Sequence, residues 1–579
     1  MPPRRIVIDP LTRIEGHLRN EVEVDETGAV IQAISAGTQV RGIEIILRDR
    51  DPRDAWAFAQ RICGVCTLVH GLASVRAVED ALGVQVPPNA LLIRDLMVGT
   101  QRLQDHVVHF YHLQALDWVN PLHALAANPR DAAQSADRLG CRESSVDTFA
   151  RAQIRLKDLF TSGQLGIFAN GWWNHPGYTL SPEINLMAFS HYLEALTWQR
   201  EIGEVLTIFG GKTPHPNVAV GGAPCAISID GPPPGEGAAT AVSLSGLMRV
   251  RQLIETMRSF IEGVYLPDLI AIGGHYRDWF TRGENVRNFM TYGDFAGAAA
   301  GHGFGVPRGV VLDRDLSRIH PVDLQDPDQI QEIIVHSWYK YQGGRNGALH
   351  PYVGETVLDY TGPPPPFERL DAGGTYSWVK APRWRGKPME VGPLARLVLL
   401  HAAGDASAKA QTAETLGRLG LPFEAMYSTF GRILARGIES KLVVDRMIGW
   451  YDRLMANITN GDRRTFNTEK WEPSRWPRQS RGIGTIEGPR GALAHWVVID
   501  DGRIANYQAV VPTTWNAGPM DEQGRHGPYE AALMDRHRLA VPDQPLEILR
   551  TIHSFDPCMA CAAHVFGPAG KEVVRVTVR

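Results

Sequence analysis

Apolar positions along the chain recur with two different periods, which divide it into strand-rich ends and a helical middle. At the start, Arg5–Ile8 and Asn20–Val24 cluster or alternate β-forming residues, and a glycine-containing turn at Asp25–Gly28 leads into Val30–Ser35. From about Asn89 to Trp118 the spacing changes: Leu92, Leu96, Leu103, Val107 and Tyr111 fall on one helical face and predict a long, largely buried helix. The same period predicts helices over Met187–Phe209, Leu244–Tyr265 and Phe423–Asn457. Gly/Pro-rich connectors at Gly231–Gly237 and Gly362–Pro366 punctuate these segments, and no internal repeat is visible. Near the C-terminus, Ala494–Asp500 and Arg503–Val511 flank Asp501-Gly502, a hairpin signal. The prediction is an α+β fold, mainly α: a central bundle of long helices with strands and hairpins contributed by the N- and C-terminal regions. Strands are expected over residues 1–50, helices over most of 51–457, and loop and hairpin over 458–564.

No run approaches the roughly 18 consecutive apolar residues that would cross a bilayer; the densest, Leu397–Ala403, stops far short. Arg4 and Arg5 lead straight into Ile6, Val7, Ile8 and Asp9, without the apolar stretch and small-residue cleavage site of an export signal. If the protein is exported, another chain carries it. Lysines and arginines are scattered and the net charge is -4, so the chain has no basic field that would gather nucleic acid.

Six cysteines are too few to staple a chain of 579 residues, and their placement points elsewhere. Four form two CxxC pairs, Arg61-Ile-Cys63-Gly-Val-Cys66-Thr-Leu-Val-His70 and Asp556-Pro-Cys558-Met-Ala-Cys561-Ala-Ala-His564, while Cys141 and Cys225 stand alone. Two such pairs bring four thiolates around a soft metal. Zinc is the simplest occupant, but closed zinc modules usually place roughly 15 to 20 residues between their CxxC units. These pairs lie at opposite ends of the chain. A site assembled that way reads as central and functional rather than as a local staple.

The two segments resemble the paired signatures of nickel-iron hydrogenase large subunits. The resemblance runs along nearly the whole chain, through Asp9-Pro-Leu-Thr-Arg-Ile-Glu15-Gly-His17, Arg41-Gly-Ile-Glu44, Gln104-Asp105-His106, Gly210-Gly-Lys-Thr-Pro-His215-Pro, Gly488-Pro-Arg490-Gly and Val510-Val-Pro512-Thr513-Thr-Trp-Asn516. Overall likeness is to the respiratory, membrane-bound uptake type.

The resemblance implies nickel held by Cys63, Cys66, Cys558 and Cys561, with Cys66 and Cys561 shared with an iron that carries CO and CN ligands. Arg490 and Thr513 match the hydrogen-bond donors to cyanide, and dihydrogen is expected to split heterolytically, the proton passing to Cys558 or Arg490. Glu15 matches the carboxylate that carries protons away. Asp105 and Asp556 match positions that orient Arg490 and the Cys558 loop. His70, four residues after Cys66, is expected to hydrogen-bond that sulfur from a shared helix face. His106, His109 and His112 recur every third residue; the pattern drifts around a helix, so they are read as core or interface histidines rather than ligands. Val65 and Leu113 match a gas-channel gate. Glu44, His564 and a backbone carbonyl near Ala509 match a magnesium site.

Beyond His564, the resemblance makes Val565–Arg579 a propeptide, cut off by a maturation protease once metal is inserted; its alternative is a permanent edge strand. Electron transfer gives an independent deduction: an iron-sulfur cluster typically takes four cysteines, and only Cys141 and Cys225 remain. A partner must supply the clusters. By resemblance it is an iron-sulfur small subunit whose export signal places the pair on the periplasmic side of the bacterial cytoplasmic membrane, facing a cytochrome or quinone-linked acceptor. A hydrogen-sensing relative generally lacks the tail and has bulkier gate residues. The complex I quinone-module subunit has lost the cysteine pairs, and a structural zinc protein is the remaining rival.

Overall fold

The computed structural model describes residues 3–141, 144–230, 241–295, 305–363 and 369–562. The N-terminal pattern becomes an antiparallel meander of β1 (Arg4–Ile8), β2 (Leu18–Val24) and β3 (Val30–Gly37), with Ile8 opposite Asn20 and Leu18 opposite Gly37. The loop carrying the first cysteine pair feeds α1 (Val69–Leu82), and α2 follows (Pro88–Val108), opened by a proline at its first position. The predicted helix to Trp118 is realised as α2 continued by a π-helical turn, His109–Gln114, and a short 3-10 turn, Ala115–Asp117. Next come α3 (Pro182–Ile202), broken from a short helix, Glu204–Gly210, at Gly203, and α4 (Leu244–Phe260), whose column runs on to His275 through a second π-helical turn.

The middle of the chain also holds strands that the pattern did not announce. β4 (Phe289–Asp294) pairs with β5 (Val306–Val311), and β6 (Ile330–Ile333) lies between β7 (Ala348–Leu349) and β8 (Ala381–Trp384). At two to six residues each, they leave too few alternations for a period-2 signal. Helices resume with α5 (Pro393–Ala402) and α6 (Thr429–Thr459), which Ser428 caps by accepting the Gly431 amide at 3.0 Å. α6 packs along α2, α5 and α4.

The C-terminal hairpin is present as β10 (Gly491–Asp500) and β11 (Arg503–Val510), with β9 (Gln479–Gly488) on the other side of β10. β9 lies against α1, and its glycines permit the contact: a methyl carbon at Gly484 would sit 1.9 Å from the Ala73 carbonyl oxygen. Four short helices complete the described chain: α7 (Pro512–Ala517), one over Pro528–Met534, α8 (Leu546–Ser554) and α9 (Met559–Ala562). One contiguous apolar core includes both Ile6 and Ala562, so the two ends are packed into the same interior. No helix among the described residues is long and apolar enough to cross a membrane.

Candidate metal centre

The first cysteine pair sits on the turn between a short 3-10 segment, Gln60–Ile62, and α1, where consecutive amides converge on one sulfur. Val65 and Cys66 donate their N–H groups to Cys63 Sγ at 3.3 and 3.2 Å. His215 Nε2 lies 3.1 Å from the Cys63 carbonyl, and Arg41 donates to the Ile62 carbonyl, so both flanks of the turn are held.

The second pair is docked against the N-terminal segment. Glu15 donates its amide to Pro557 O at 3.3 Å and accepts the Met559 amide at 2.8 Å, a local parallel bridge between the chain's two ends. The Glu15 side chain continues the contact: Oε2 accepts from the Ala560 amide at 2.9 Å and faces Cys558 Sγ at 3.2 Å. Gly16 lets the backbones approach this closely, since at φ +80° a methyl carbon would lie 2.5 Å from Ala560 N. The opposite side is fixed by Thr513, whose hydroxyl oxygen accepts the Cys558 amide at 3.1 Å.

All four sulfurs are buried and lie within 4.8 Å of one another. Cys63 and Cys558 are 3.2 Å apart, Cys558 and Cys561 2.8 Å, and Cys66 and Cys561 3.6 Å. Burial opposes charge on Cys63, yet hydrogen bonds from the thiols of Cys558, Cys561 and Cys66 outweigh it and hold its pKa well below the ordinary value. Burial and the other sulfurs push Cys558 well above it. Four buried thiolates cannot ionise together without a cation among them. A soft transition metal supplies that charge and matches the donor set.

Around the sulfurs stand the polar residues singled out from the sequence. Arg490 is buried: Nε donates to the Asp556 carbonyl and Nη2 to Asp556 Oδ1, both at 2.9 Å, and Nη1 reaches Asp105 Oδ2 at 3.4 Å. Gln101 on α2 donates to the other Asp105 oxygen at 2.7 Å. Burial works against the Arg490 charge, but Asp556, Cys558 and Asp105 outweigh it and keep its pKa well above the ordinary value. Burial pushes the Asp105 carboxyl well up. Glu15 is pushed up to about 7, first by burial and then by negative charge on Cys63, against hydrogen bonds from Cys558 and Ala560.

The expectation for His70 is corrected. Its Nε2 lies 3.2 Å from Cys561 Sγ, not against Cys66, because α1 begins at Val69 and leaves Cys66 in the preceding turn. Sequence reading missed what stands behind it: His70 Nδ1 is 3.1 Å from His495 Nε2, and His495 Nδ1 is 2.5 Å from the Tyr507 hydroxyl. Burial pushes His70 down to about 4, so the ring stays neutral. With Cys561 as a thiolate, one direction satisfies the chain: Tyr507 donates to His495, His495 to His70, and His70 to sulfur. His495 and Tyr507 alternate on the paired strands β10 and β11 and carry no motif.

The three helical histidines have separate partners, as the drifting pattern implied: His106 meets Glu439, His109 the His553 carbonyl and His112 the Tyr192 carbonyl. Val65 lines a cleft with Gln104, Asp105, Val108 and Pro214. Leu113 does not line that cleft; it sits in the π-helical turn, where its carbonyl accepts from Arg13 at 2.6 Å. Glu44 and Ala509 are brought together, the Ala509 amide donating to Glu44 Oε1 at 2.9 Å, with Thr356 donating to the other oxygen. His564 and the tail lie outside the described residues.

A buried tetrathiolate assembled from both ends of an α+β chain, ringed by a carboxylate, an arginine and a histidine, defines a thiolate-bound transition-metal centre. Comparisons with known proteins identify which. A family model described as nickel-dependent hydrogenase matches residues 41–564, and one described as HoxL-like matches residues 5–39. The chain belongs to the nickel-dependent hydrogenase family. It is 50% identical to the uptake hydrogenase large subunit of Rhizobium leguminosarum bv. viciae, covering 100% of this chain and 98% of that one. It is 48% identical to the hydrogenase-1 large chain of Escherichia coli K12, covering 100% of this chain and 97% of that one. Among solved structures, the reduced Ni-Fe-Se hydrogenase of Desulfovibrio vulgaris Hildenborough aligns with a TM-score of 0.74 and 31% identity, over 97% of this chain and 100% of that one.

Proposed function

We propose that this chain is the catalytic large subunit of an uptake hydrogenase, cleaving dihydrogen heterolytically and reversibly and passing electrons through an iron-sulfur small subunit to a respiratory chain. One observation carries the reading: four buried sulfurs within 4.8 Å of one another, with a carboxylate oxygen 3.2 Å from one of them. A structural zinc knuckle needs the sulfurs and has no use for the acid.

Cys63, Cys66, Cys558 and Cys561 would hold nickel, Cys66 and Cys561 sharing their sulfurs with iron. Bound there, the two metals would supply Lewis acidity suited to heterolytic cleavage of dihydrogen. Glu15 receives the proton at Oε2 from the Cys558 side, and its bridge to Pro557 and Met559 keeps that oxygen in place. Among the described residues, the aspartates engage three of the five Arg490 N–H bonds, which orients the planar guanidinium towards the sulfurs. A small cavity bounded by Pro489, Leu493, Pro512, Arg490 and Thr513 lies beside Cys66 and Cys561. Apolar walls with two donors suit CO and CN ligands on iron, Thr513 keeping its hydroxyl hydrogen because it accepts rather than donates at Cys558. His70 donates to Cys561 and tempers that sulfur's basicity.

Glu44, the Ala509 carbonyl and His564 would form a magnesium site, an oxygen-rich environment suited to a hard cation. The small subunit supplies the iron-sulfur clusters, since Cys141 and Cys225 alone cannot hold one, and its export signal would place the pair on the periplasmic face of the cytoplasmic membrane. Cleavage by a maturation protease after His564 would give the active form, with residues 1–564 acting as one catalytic unit; the family match, which ends at 564, supports that boundary.

Enzyme purified without oxygen together with its small subunit should contain nickel and reduce a redox dye under hydrogen. Alanine at Cys63, Cys66, Cys558 or Cys561 should abolish both properties. Zinc in place of nickel in the wild-type protein, or turnover in any one of the variants, would refute the reading.

A further inference from the structure

Arg490 occupies an unfavourable kind of turn. Gly488 and Gly491 pair at the end of β9 and the start of β10, so Pro489 and Arg490 form a two-residue hairpin loop. Such loops favour turns with positive φ at the first central residue, because these match the strand twist. Pro489 is confined to φ near -65° by its ring, and Arg490 is not among the residues with positive φ. The loop that aims the guanidinium is therefore of a type that tends to splay its strands, yet the pairing runs unbroken to Gly488 and Gly491.

Arg396, on α5 and 0% exposed, meets that loop from behind. Its Nη1 donates to the Gly488 carbonyl at 2.9 Å and its Nη2 to the Pro489 carbonyl at 3.1 Å. The remaining N–H bonds go to two buried carboxylates, Nη1 to Glu487 Oε2 at 3.1 Å and Nη2 to Glu439 Oε2 at 2.7 Å, with Nε donating to Glu439 Oε1. All five donors of the guanidinium are engaged. The carboxylates are themselves fixed, Glu439 by His106 of α2 at 2.7 Å and Glu487 by the Tyr292 amide of β4 at 2.7 Å. Arg102 shares the charge of Glu439, its Nη1 3.7 Å from Oε1, and the two carboxylates set the plane of the Arg396 fork, which decides where the two loop carbonyls lie.

We infer that Arg396 is a positioning residue for Arg490: it touches neither sulfur nor substrate, and it sets the turn that aims the guanidinium at the metal centre. The inference rests on the reading of Arg490 given above. A lysine at 396 would keep the charge opposite Glu439 and Glu487, but its three donors could not serve two carboxylates and two carbonyls at once. Misplacement of a reacting group by about 1 Å can cost about a hundredfold in rate.

The test compares Arg396→Lys, Arg396→Gln, Arg490→Lys and the double variant Arg396→Gln/Arg490→Lys, each isolated with its small subunit. Nickel content should stay at the wild-type level in all four. Hydrogen oxidation should fall about tenfold or more in both Arg396 single variants, and a crystal structure of Arg396→Lys should show Arg490 drawn away from Asp556. In the Arg490→Lys background, Arg396→Gln should cause no further loss, because the group it aims is already gone. Losses that multiply in the double variant would overturn the inference. So would wild-type rates in the Arg396 single variants beside a slow Arg490→Lys, an outcome that leaves the Arg490 reading standing. A fast Arg490→Lys would remove that reading and this inference with it. Failure of both Arg396 single variants to give a soluble, nickel-bearing enzyme would assign the residue to folding and likewise overturn it.

Discussion

Gly16→Ala separates the geometry of Glu15, the proposed proton acceptor, from its chemistry. At φ +80°, any residue with a Cβ carries a backbone penalty of about 1–2 kcal/mol. The added carbon would also lie 2.5 Å from Ala560 N and 2.9 Å from Met559 Cβ, where ordinary contact begins near 3.4 Å. The backbone on one side must move by about 0.9 Å to relieve this, since the obstructing atom is a main-chain nitrogen, and overpacking of this kind costs a further ~1–3 kcal/mol. Glu15 and the second cysteine pair lie on opposite sides of the contact, so the displacement opens the 3.2 Å gap between Glu15 Oε2 and Cys558 Sγ beyond hydrogen-bond reach. Hydrogen–deuterium exchange between D2 and water should then fall by about 10- to 100-fold while nickel is retained. Gly83→Ala provides the control: φ is +66° and nothing lies within 4 Å, so it carries the backbone penalty without the collision. Gly83→Ala should lower stability by about 1–2 kcal/mol in denaturant titration and leave exchange unchanged. Wild-type exchange in Gly16→Ala, or equal losses in the two variants, would refute the reasoning.

Glu15→Gln keeps the shape and the bond from Ala560 but cannot accept and pass on a proton, so isotope exchange should drop by at least about 10²-fold with nickel intact; exchange at the wild-type rate would send the proton elsewhere. Arg490→Lys replaces a fork held by Asp556 and Asp105 with a point charge, and hydrogen oxidation should fall about 10²-fold with nickel unchanged. Near-normal turnover would exclude the guanidinium from the mechanism. Mass spectrometry of the active enzyme should show the large subunit ending at His564, whereas protein made without nickel should retain Val565–Arg579; a full-length chain in a nickel-loaded, active preparation would contradict processing.

The cysteine quartet and its acidic and basic neighbours were legible in the sequence because they fall in short segments with distinctive spacing. What those segments left out was geometry: the roles of Arg490, Asp105 and Asp556 came from resemblance alone, and only the fold shows Asp556 and Asp105 enclosing the guanidinium. The long helices were legible from period alone, although α2 passes into a π-helical turn at His109 with no break in apolar pattern. β9 was missed because Gly482, Gly484 and Gly488 lower its strand propensity, and the first two answer to α1, a partner some 400 residues away in sequence. His495 and Tyr507 were missed for a related reason. On paired strands, side chains that share a face are brought together by register, here with His495 opposite Ala509 and Val497 opposite Tyr507, and register is not written in either strand alone.

The two halves of the metal centre are held by different means. Cys63 and Cys66 are fixed by neighbours within a helix-entry turn and by Arg41 and His215, none of which belongs to the C-terminal segment. Cys558 and Cys561 are held by Glu15, Thr513 and the Arg490–Asp556 pair. Each of those contacts involves a residue to which the proposed function gives a role: proton acceptor for Glu15, hydrogen-bond donor for Thr513 and Arg490, and orienting group for Asp556. The position of the C-terminal segment therefore completes the set of four sulfurs, puts Glu15 against Cys558 and sets Asp556 under Arg490 together. A chain whose C-terminal segment is displaced lacks the acid contact and the oriented guanidinium as well as half of its sulfurs.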